Sequence, residues 1–338
     1  MNSELPYPRH APPAIGSILD SIIMTKLPNI STFRGRVSRR GFLAGAIATG
    51  ALAACGSDSG SSNSDGTAGG AADSVAGSTA ESASTETSEQ IYTLIQRFPQ
   101  TVQVPGPTRL PISLSTGSAQ IIDDGPEILS AQVTDFNGDP IGERISAVRR
   151  DVAPGPYYDF RPVMDDVGFY QLRVDGGPVD GASFEILDPD LVPVPLVGQD
   201  MPAFDTPTFD NPAGVDPICT REPEACPFHD VTLTDALAAG KPVVYLIGTP
   251  AFCSTGSCAP ALESLIDVQD QFGDTFTFVH AEVYTDDTAT TIAPAVDAAS
   301  LTYEPVLFVT DANGVVVERL DAVWDETELV EVLTKAST

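Results

Sequence analysis

The C-terminal part of this chain alternates between helix-like and strand-like segments, and this alternation restricts the fold more than any other feature. Residues 232–237 predict a short helix, and 242–247 form a continuous apolar run typical of a buried central strand. Residues 260–272 place apolar side chains on one helical face, and 276–284 predict a second strand. The pattern predicts an α/β fold.

Two more strands and a helix are predicted beyond residue 305. The runs 306–309 and 315–320 flank Asp-Ala-Asn-Gly at 311–314, which is a hairpin signal. Residues 325–328 resemble a capping box that opens a final helix ending near Lys335.

Two of the five cysteines, Cys253 and Cys258, directly follow the apolar strand with four residues between them. Residues five apart on a regular helix are separated by a rise of about 7.5 Å, whereas a disulfide needs α-carbons within about 7 Å. The two cysteines therefore cannot both lie on regular helix and be bonded. Because Gly256 permits a turn and Pro260 favours a helix start nearby, we expect Cys253 in the loop and Cys258 at the helix N-terminus.

Such a pair suits redox chemistry. A thiol at a helix N-terminus has a lowered pKa, and a second thiol within reach can resolve a mixed disulfide. The helix dipole by itself favours Cys258 as the attacking thiol. A permanent disulfide is the alternative interpretation, although so short a loop gains little stability from closure.

Cys219 and Cys226 form the other close pair, for which the spacing favours a structural disulfide in an oxidising compartment. The alternative is a second redox pair that exchanges with Cys253 and Cys258. His229 follows closely and could assist proton transfer, but a lone loop histidine is more often solvated.

Several segments together resemble the thioredoxin fold, in particular its extracytoplasmic redoxin branch. They are Gly-Lys-Pro-Val-Val at 240–244, the following cysteine pair, Tyr-Glu-Pro-Val at 303–306, and the lead-in Val-Gly-Gln-Asp-Met-Pro-Ala-Phe at 197–204. The resemblance covers about residues 197–336. It implies a thiol-disulfide oxidoreductase that needs no cofactor, with Cys253 attacking, Cys258 resolving and Pro305 as the cis proline that faces them. Its expected partners are protein thiols and disulfides outside the cytoplasm.

An all-β domain is expected before this α/β thioredoxin-like domain. Residues 128–134 and 168–174 are strand-like, and Asp-Val-Gly-Phe-Tyr at 166–170 resembles the tyrosine corner of immunoglobulin-like sandwiches. We therefore predict an immunoglobulin-like sandwich over residues 90–187. A proline-rich, extended linker over 188–212 and the thioredoxin-like domain over 213–338 complete this arrangement.

The N-terminal segment resembles an export signal. Ser-Arg-Arg-Gly-Phe-Leu at 38–43 is similar to a twin-arginine motif, and the apolar stretch 42–54 is too short to span a membrane. Leu-Ala-Ala-Cys at 52–55 resembles a bacterial lipobox, so residues 1–54 are predicted to be removed and Cys55 lipidated. Residues 55–89 lack large apolar side chains and are predicted to form a disordered tether. The expected location is the extracytoplasmic face of a bacterial membrane.

The charge balance excludes one class of partner. Asp and Glu number 47 against 17 Lys and Arg, for a formal net charge of −30. Because nucleic acids are recognised largely through their phosphates, so acidic a chain is not expected to bind them.

Three other functions stay open at this point. A Q-type peroxiredoxin has a similar cysteine spacing, but its threonine motif and its arginine have no convincing match in Thr249 and Arg319. A copper chaperone of the thioredoxin fold would use both thiols with a distant histidine such as His280, although a mid-strand histidine is more often a core residue. A tethered, non-catalytic scaffold would use every cysteine structurally.

Overall fold

The structure is a computed structural model that describes residues 91–117 and 120–338. The predicted signal at 1–54, the lipidation site Cys55 and the predicted tether at 55–89 lie outside the described residues. The described residues belong to one compact unit, in which an all-β region precedes an α/β region. In the part of the chain that the structure describes, no helix has the length and apolar character needed to cross a membrane.

The all-β region is built on one antiparallel sheet of seven strands, in the order β1-β3-β6-β5-β4-β8-β9, with β2 and β7 forming a separate two-stranded ribbon. The strands are β1 (Thr93–Gln96), β2 (Gly106–Pro107), β3 (Leu110–Ser115), β4 (Ile128–Thr134), β5 (Pro140–Arg150), β6 (Tyr157–Phe160), β7 (Val163–Met164), β8 (Gly168–Val174) and β9 (Ala182–Ile186).

The long strand β5 joins the two halves of this sheet. Most of its length pairs with β4, whereas Arg149 and Arg150 at its end pair with β6. Apolar side chains from both halves, including Ile112, Val133 and Leu172, form one buried cluster. The Tyr170 hydroxyl donates to the Asp166 carbonyl over 3.0 Å, the local contact that the Asp-x-Gly-x-Tyr pattern predicts.

The α/β region has the strand order β11-β10-β12-β13. β10 and β11 are parallel, and β12 and β13 are antiparallel to their neighbours. This is the topology of the thioredoxin fold, as the sequence predicts. The elements are α1 (Leu233–Ala238), β10 (Val243–Ile247), α2 (Cys258–Asp267), α3 (Gln269–Phe272), β11 (Thr277–Ala281), α4 (Pro294–Ala298), β12 (Val306–Thr310), β13 (Val316–Asp321) and α5 (Glu326–Ala336).

Strand β10 is apolar throughout because both faces of its sheet are covered. Val243, Tyr245 and Ile247 belong to the buried cluster on one face, and Val244 and Leu246 to the cluster on the other. Alternation of side chains along a strand divides a continuous apolar run between two cores.

The segment predicted as an extended linker, 188–212, is instead part of the α/β region. Val192, Val194 and Leu196 are buried in its core. The Gly198 amide donates to the Val316 carbonyl and the Val316 amide to the Gln199 carbonyl, each over 2.8 Å, so the segment lies along β13. At 192–196 apolar residues alternate with Pro193 and Pro195, and all of this stretch except Pro193 is buried.

A buried ionic network joins the two regions at Glu328, in the first turn of α5. Arg109 contacts both Glu328 carboxylate oxygens at 2.7 Å. The Tyr157 hydroxyl and Arg161 Nη2 each donate to the same carboxylate over 2.5 Å. Burial alone would raise the pKa of Glu328, but Arg109 and Arg161 lower this pKa to about 2. The ionised carboxylate therefore links the two regions through ion pairs and hydrogen bonds.

Candidate functional site

Cys253 and Cys258 lie where β10 leads into α2, in the arrangement that the sequence predicts. Cys253 is in the loop, and Cys258 is the first residue of the helix. Gly256 has a φ of +68° and its amide donates to the Cys253 carbonyl over 3.1 Å. This left-handed turn, which glycine adopts without steric cost, brings the chain back so that the two thiols face each other.

The two sulfurs and a carboxylate form one compact cluster. The Sγ atoms of Cys253 and Cys258 and a carboxylate oxygen of Glu304 lie within 4.8 Å of one another. The Cys258 amide donates to Cys253 Sγ over 3.3 Å. Both cysteines are free thiols, Cys258 is buried and Cys253 is half-buried. Because Cys253 is already off the helix, α2 does not have to unwind for the sulfurs to meet.

The surroundings of Cys253 favour its thiolate. The Cys258 thiol, the Thr255 hydroxyl and the amides of Cys258 and Ser257 lower the pKa of Cys253 to about 5, against an opposing effect of burial. The Thr255 oxygen lies 3.2 Å from Cys253 Sγ. The accessible thiol is therefore largely ionised at neutral pH, which is the state that attacks disulfides.

Cys258 has the opposite character, and Glu304 is its partner. Burial, Cys253 and Glu304 raise the pKa of Cys258 far above its usual range, so it is a neutral thiol. Its Sγ donates to Glu304 Oε2 over 3.3 Å, and the Thr249 amide donates to the same oxygen over 3.0 Å. Burial and the Cys253 thiolate raise the pKa of Glu304 to about 7. A carboxyl poised near neutrality can accept the thiol proton.

Pro305 lies over this cluster, and the Glu304–Pro305 peptide is cis. A β-carbon added at Gly248 would be 3.3 Å from Pro305 Cβ and 3.6 Å from Cys258 Sγ. The absence of a side chain at Gly248 thus allows the loop, the proline and the buried thiol to pack closely. Glu304 was not singled out from the sequence; its position directly before the expected cis proline was the available signal.

The all-β region contributes a residue and a cavity to this site, which the sequence did not indicate. Arg97 Nη2 donates to Ser257 Oγ over 2.8 Å, next to the start of α2. A cavity of about 620 Å³ is bordered by Ile95, Phe98 and Arg97 on one side and by Thr255 and Glu304 on the other. The cavity therefore lies between the two regions and borders Thr255 and Glu304, which contact the two thiols.

Cys219 and Cys226 lie in a second cluster, on a different set of partners. Both are buried free thiols, so the predicted disulfide between them is not formed in the structure. Their sulfurs and the ring nitrogens of His229 and His280 all lie within 4.8 Å of one another. His229, expected to be solvated, is 1% exposed because it packs against Phe209 and His280.

These positions bear on the other candidate functions. His280 faces Cys219 and Cys226, and among the described residues no histidine groups with Cys253 and Cys258. Arg319 forms its contacts with Asp321, Pro195 and Val102 rather than with a thiol. The residues that the copper-chaperone and peroxiredoxin hypotheses would need are thus engaged elsewhere.

No known protein family matches the sequence, and no curated protein does. Among solved structures, the chain is similar to a thiol:disulfide interchange protein of the thioredoxin family from Chlorobium tepidum TLS, with 16% identity, a TM-score of 0.30 and coverage of 42% of this chain and 99% of that one. A putative thiol:disulfide interchange protein DsbE from Chlorobium tepidum gives 16% identity, a TM-score of 0.29 and coverage of 42% and 98%.

Proposed function

We propose that this protein is a thiol-disulfide oxidoreductase that uses Cys253 and Cys258 as its redox pair. The observation that carries the proposal is the contrast within the pair. A half-buried thiol with a pKa of about 5 lies beside a buried, neutral thiol that donates to a carboxylate. An attacking thiol and a resolving thiol need these two environments.

In the reducing direction, the Cys253 thiolate attacks one sulfur of a substrate disulfide. The Cys253–substrate bond forms, the substrate S–S bond breaks, and the departing thiolate takes a proton from water. The Glu304 carboxylate then accepts the Cys258 proton, and Cys258 attacks Cys253 Sγ. The second substrate thiolate leaves, so two electrons pass to the substrate and the pair becomes a disulfide. The reverse sequence oxidises a dithiol.

The substrates we propose are protein thiols and disulfides outside the cytoplasm. We expect a chain segment to bind in the cavity between the regions, which borders Thr255 and Glu304 beside the pair and has Ile95 and Phe98 in its wall. We assign the all-β region to the immunoglobulin-like sandwiches, supported by the Tyr170–Asp166 contact and by a single core between two half-sheets. Its role in this proposal is to form one wall of the substrate site.

We also propose that the protein is a lipoprotein anchored to the extracytoplasmic face of a bacterial membrane through Cys55. The twin-arginine and lipobox motifs support this. Metabolic labelling with a fatty acid should mark the wild type and not Cys55→Ser. Labelling of both proteins, or of neither, contradicts the anchor.

The redox proposal is tested by trapping mixed disulfides. Cys258→Ser should accumulate a mixed disulfide with a protein substrate that contains a disulfide, because the resolving thiol is missing. Cys253→Ser should form none and should not reduce insulin. Cys55→Ser, which alters a cysteine outside the redox pair, is the matched control and should keep full activity. Peroxide turnover without disulfide exchange would instead support the peroxiredoxin alternative.

A further inference from the structure

The buried cluster of Cys219, Cys226, His229 and His280 has a donor set of two sulfurs and two imidazole nitrogens. Its residues come from two parts of the fold: the first three from an irregular segment before α1, and His280 from β11. We propose that this cluster is a structural zinc site of the Cys₂His₂ type, separate from the redox pair.

Three of the distances between the donor atoms are close to those around a tetrahedral zinc ion. Zinc bonds of about 2.3 Å to sulfur and 2.0–2.1 Å to nitrogen imply edges of about 3.6 Å between sulfur and nitrogen and about 3.3 Å between nitrogens. The His280 Nδ1 atom lies 3.8 Å from Cys219 Sγ and 3.4 Å from Cys226 Sγ. The two histidines approach at 3.2 Å, between His280 Nδ1 and His229 Nε2.

The hydrogen bond on the far side of His280 fixes which nitrogen can bind a metal. Nε2 lies 2.9 Å from the Gly248 carbonyl oxygen, which can only accept, so Nε2 carries the proton. In the neutral ring, Nδ1 then presents its lone pair to the two sulfurs. A backbone carbonyl that holds the opposite ring nitrogen is the usual outer contact of a metal-binding histidine.

Among the described residues, the His229 ring has no polar partner outside the cluster. Its Nδ1 is buried without a hydrogen bond among the described residues, so its polar contacts are made at Nε2, inside the cluster. All four residues are buried, and the cluster has no open side for a substrate. A closed four-ligand set is typical of structural rather than catalytic zinc, and two thiolates would neutralise the ion in this apolar setting.

Such an ion would hold a long irregular segment against the sheet. Residues 192–232 contain no helix and no strand, and unstructured segments of this length are uncommon in compact domains. The His280 amide donates to the Phe228 carbonyl over 3.0 Å, so the segment already lies against β11 at this point. Bonds from one ion to Cys219, Cys226 and His229 on the segment and to His280 on the sheet would fasten it there.

Zinc and a Cys219–Cys226 disulfide exclude each other, because oxidation removes both thiolate ligands. The proposal is therefore decided by the state of these thiols in the purified full chain. After dialysis against metal-free buffer, elemental analysis should find one zinc per chain. Non-reducing peptide mapping should find Cys219 and Cys226 unpaired. The proposal is overturned by a Cys219–Cys226 disulfide, or by free thiols that bind no metal when Zn²⁺ is added.

Variants locate the ion. His280→Ala and Cys226→Ser should lose zinc, whereas Cys258→Ser, the matched thiol control at the redox pair, should retain it. Loss of zinc in Cys258→Ser and retention in Cys226→Ser would place the metal at the redox pair and reject the proposal.

Because the ligand variants could fail to fold, the wild type gives an independent readout. N-ethylmaleimide should label Cys219 and Cys226 only after a chelator removes the metal, while Cys253 reacts throughout. Labelling of Cys219 and Cys226 at the same rate with and without chelator contradicts the site. Insulin reduction, measured in parallel, reports on the redox proposal separately.

Discussion

The two cysteine pairs of this protein have similar spacings but opposite surroundings. Cys253 and Cys258 lie at the start of a helix, next to a carboxylate and a cavity. Cys219 and Cys226 are enclosed by aromatic and histidine side chains. In the first pair the two thiols differ from each other in exposure and acidity. In the second, both sulfurs face the same two rings.

The comparison teaches that the neighbours of a cysteine, rather than its spacing, determine its chemistry. A difference in acidity between the two thiols suits disulfide exchange, because one thiol must attack as a thiolate while the other stays neutral until the resolving step. Convergence of four donors with no route to solvent suits retention of an ion. The experiments below test this contrast.

The largest expected effect is the loss of activity in Cys253→Ser. Removing a nucleophile that acts as part of a unit lowers turnover by at least about 10³-fold. Insulin reduction under steady-state conditions measures it, with Cys55→Ser as the control. Comparable activity of the two variants would show that Cys253 is not the attacking thiol and would erase the contrast between the pairs.

Glu304→Gln should slow the resolving step about 10²-fold, the usual contribution of a positioned base. In the wild type, the carboxylate accepts the Cys258 proton only when ionised, so resolution should accelerate as pH rises toward about 7. The midpoint should fall below that value in the mixed disulfide, because the Cys253 thiolate that helps raise the pKa of Glu304 is then absent. Stopped-flow resolution of a preformed mixed disulfide measures the profile.

The matched control is Glu143→Gln, at an exposed position of β5. It should leave both the rate and the pH profile unchanged. A Glu304→Gln variant that keeps the wild-type pH profile would remove Glu304 from the proton transfer, whatever its rate.

Alkylation should separate the pairs at mildly acidic pH. The rate at which iodoacetamide modifies Cys253 should follow the thiolate fraction. It should rise with pH and reach half of its plateau at about pH 5. At pH 6, modification should fall on Cys253, with the buried Cys219 and Cys226 protected in the native protein. Mass spectrometry of the digested protein identifies the labelled sites. Equal labelling of Cys219, Cys226, Cys253 and Cys258 would contradict the difference in their surroundings.

The smallest expected effect comes from Thr255→Val, which removes one hydroxyl donor to Cys253. A hydrogen bond to a charged group contributes about 1.5 kcal/mol, so the pKa of Cys253 should rise by about one. The pH profile of alkylation measures the change, and Thr288→Val, at an exposed loop position, is its control. An unchanged midpoint would mean that the Cys258 thiol and the backbone amides stabilise the thiolate without help from Thr255.

Local rules predicted the parts of the fold and site that depend on local geometry. The apolar run of β10 identified a central strand, and the geometry of residues five apart placed Cys253 off the helix and Cys258 at its start. Glu304 and Cys258 are 46 positions apart in sequence. They are in contact because β12, which follows Glu304, pairs with β10, which precedes Cys258.

Longer-range contacts could not be predicted in this way. Arg97 and Ser257 are 160 positions apart, and His229 and His280 are 51 apart. The segment 188–212 was predicted as a linker from its prolines, although the apolar residues between them carried an alternating signal for burial. Cys219, Cys226 and His229 are close in sequence, but His280 joins them only through β11, so the four donors could not be grouped from spacing.

The burial of Glu328 limits how this molecule can be rearranged by recombination or by engineering. A foreign domain in place of the all-β region would cover Glu328 without supplying the guanidinium groups of Arg109 and Arg161. An unpaired buried carboxylate of this kind costs about 3–5 kcal/mol, a large part of the stability of an ordinary domain. We therefore expect the two regions to tolerate replacement only as a matched set, not as interchangeable modules.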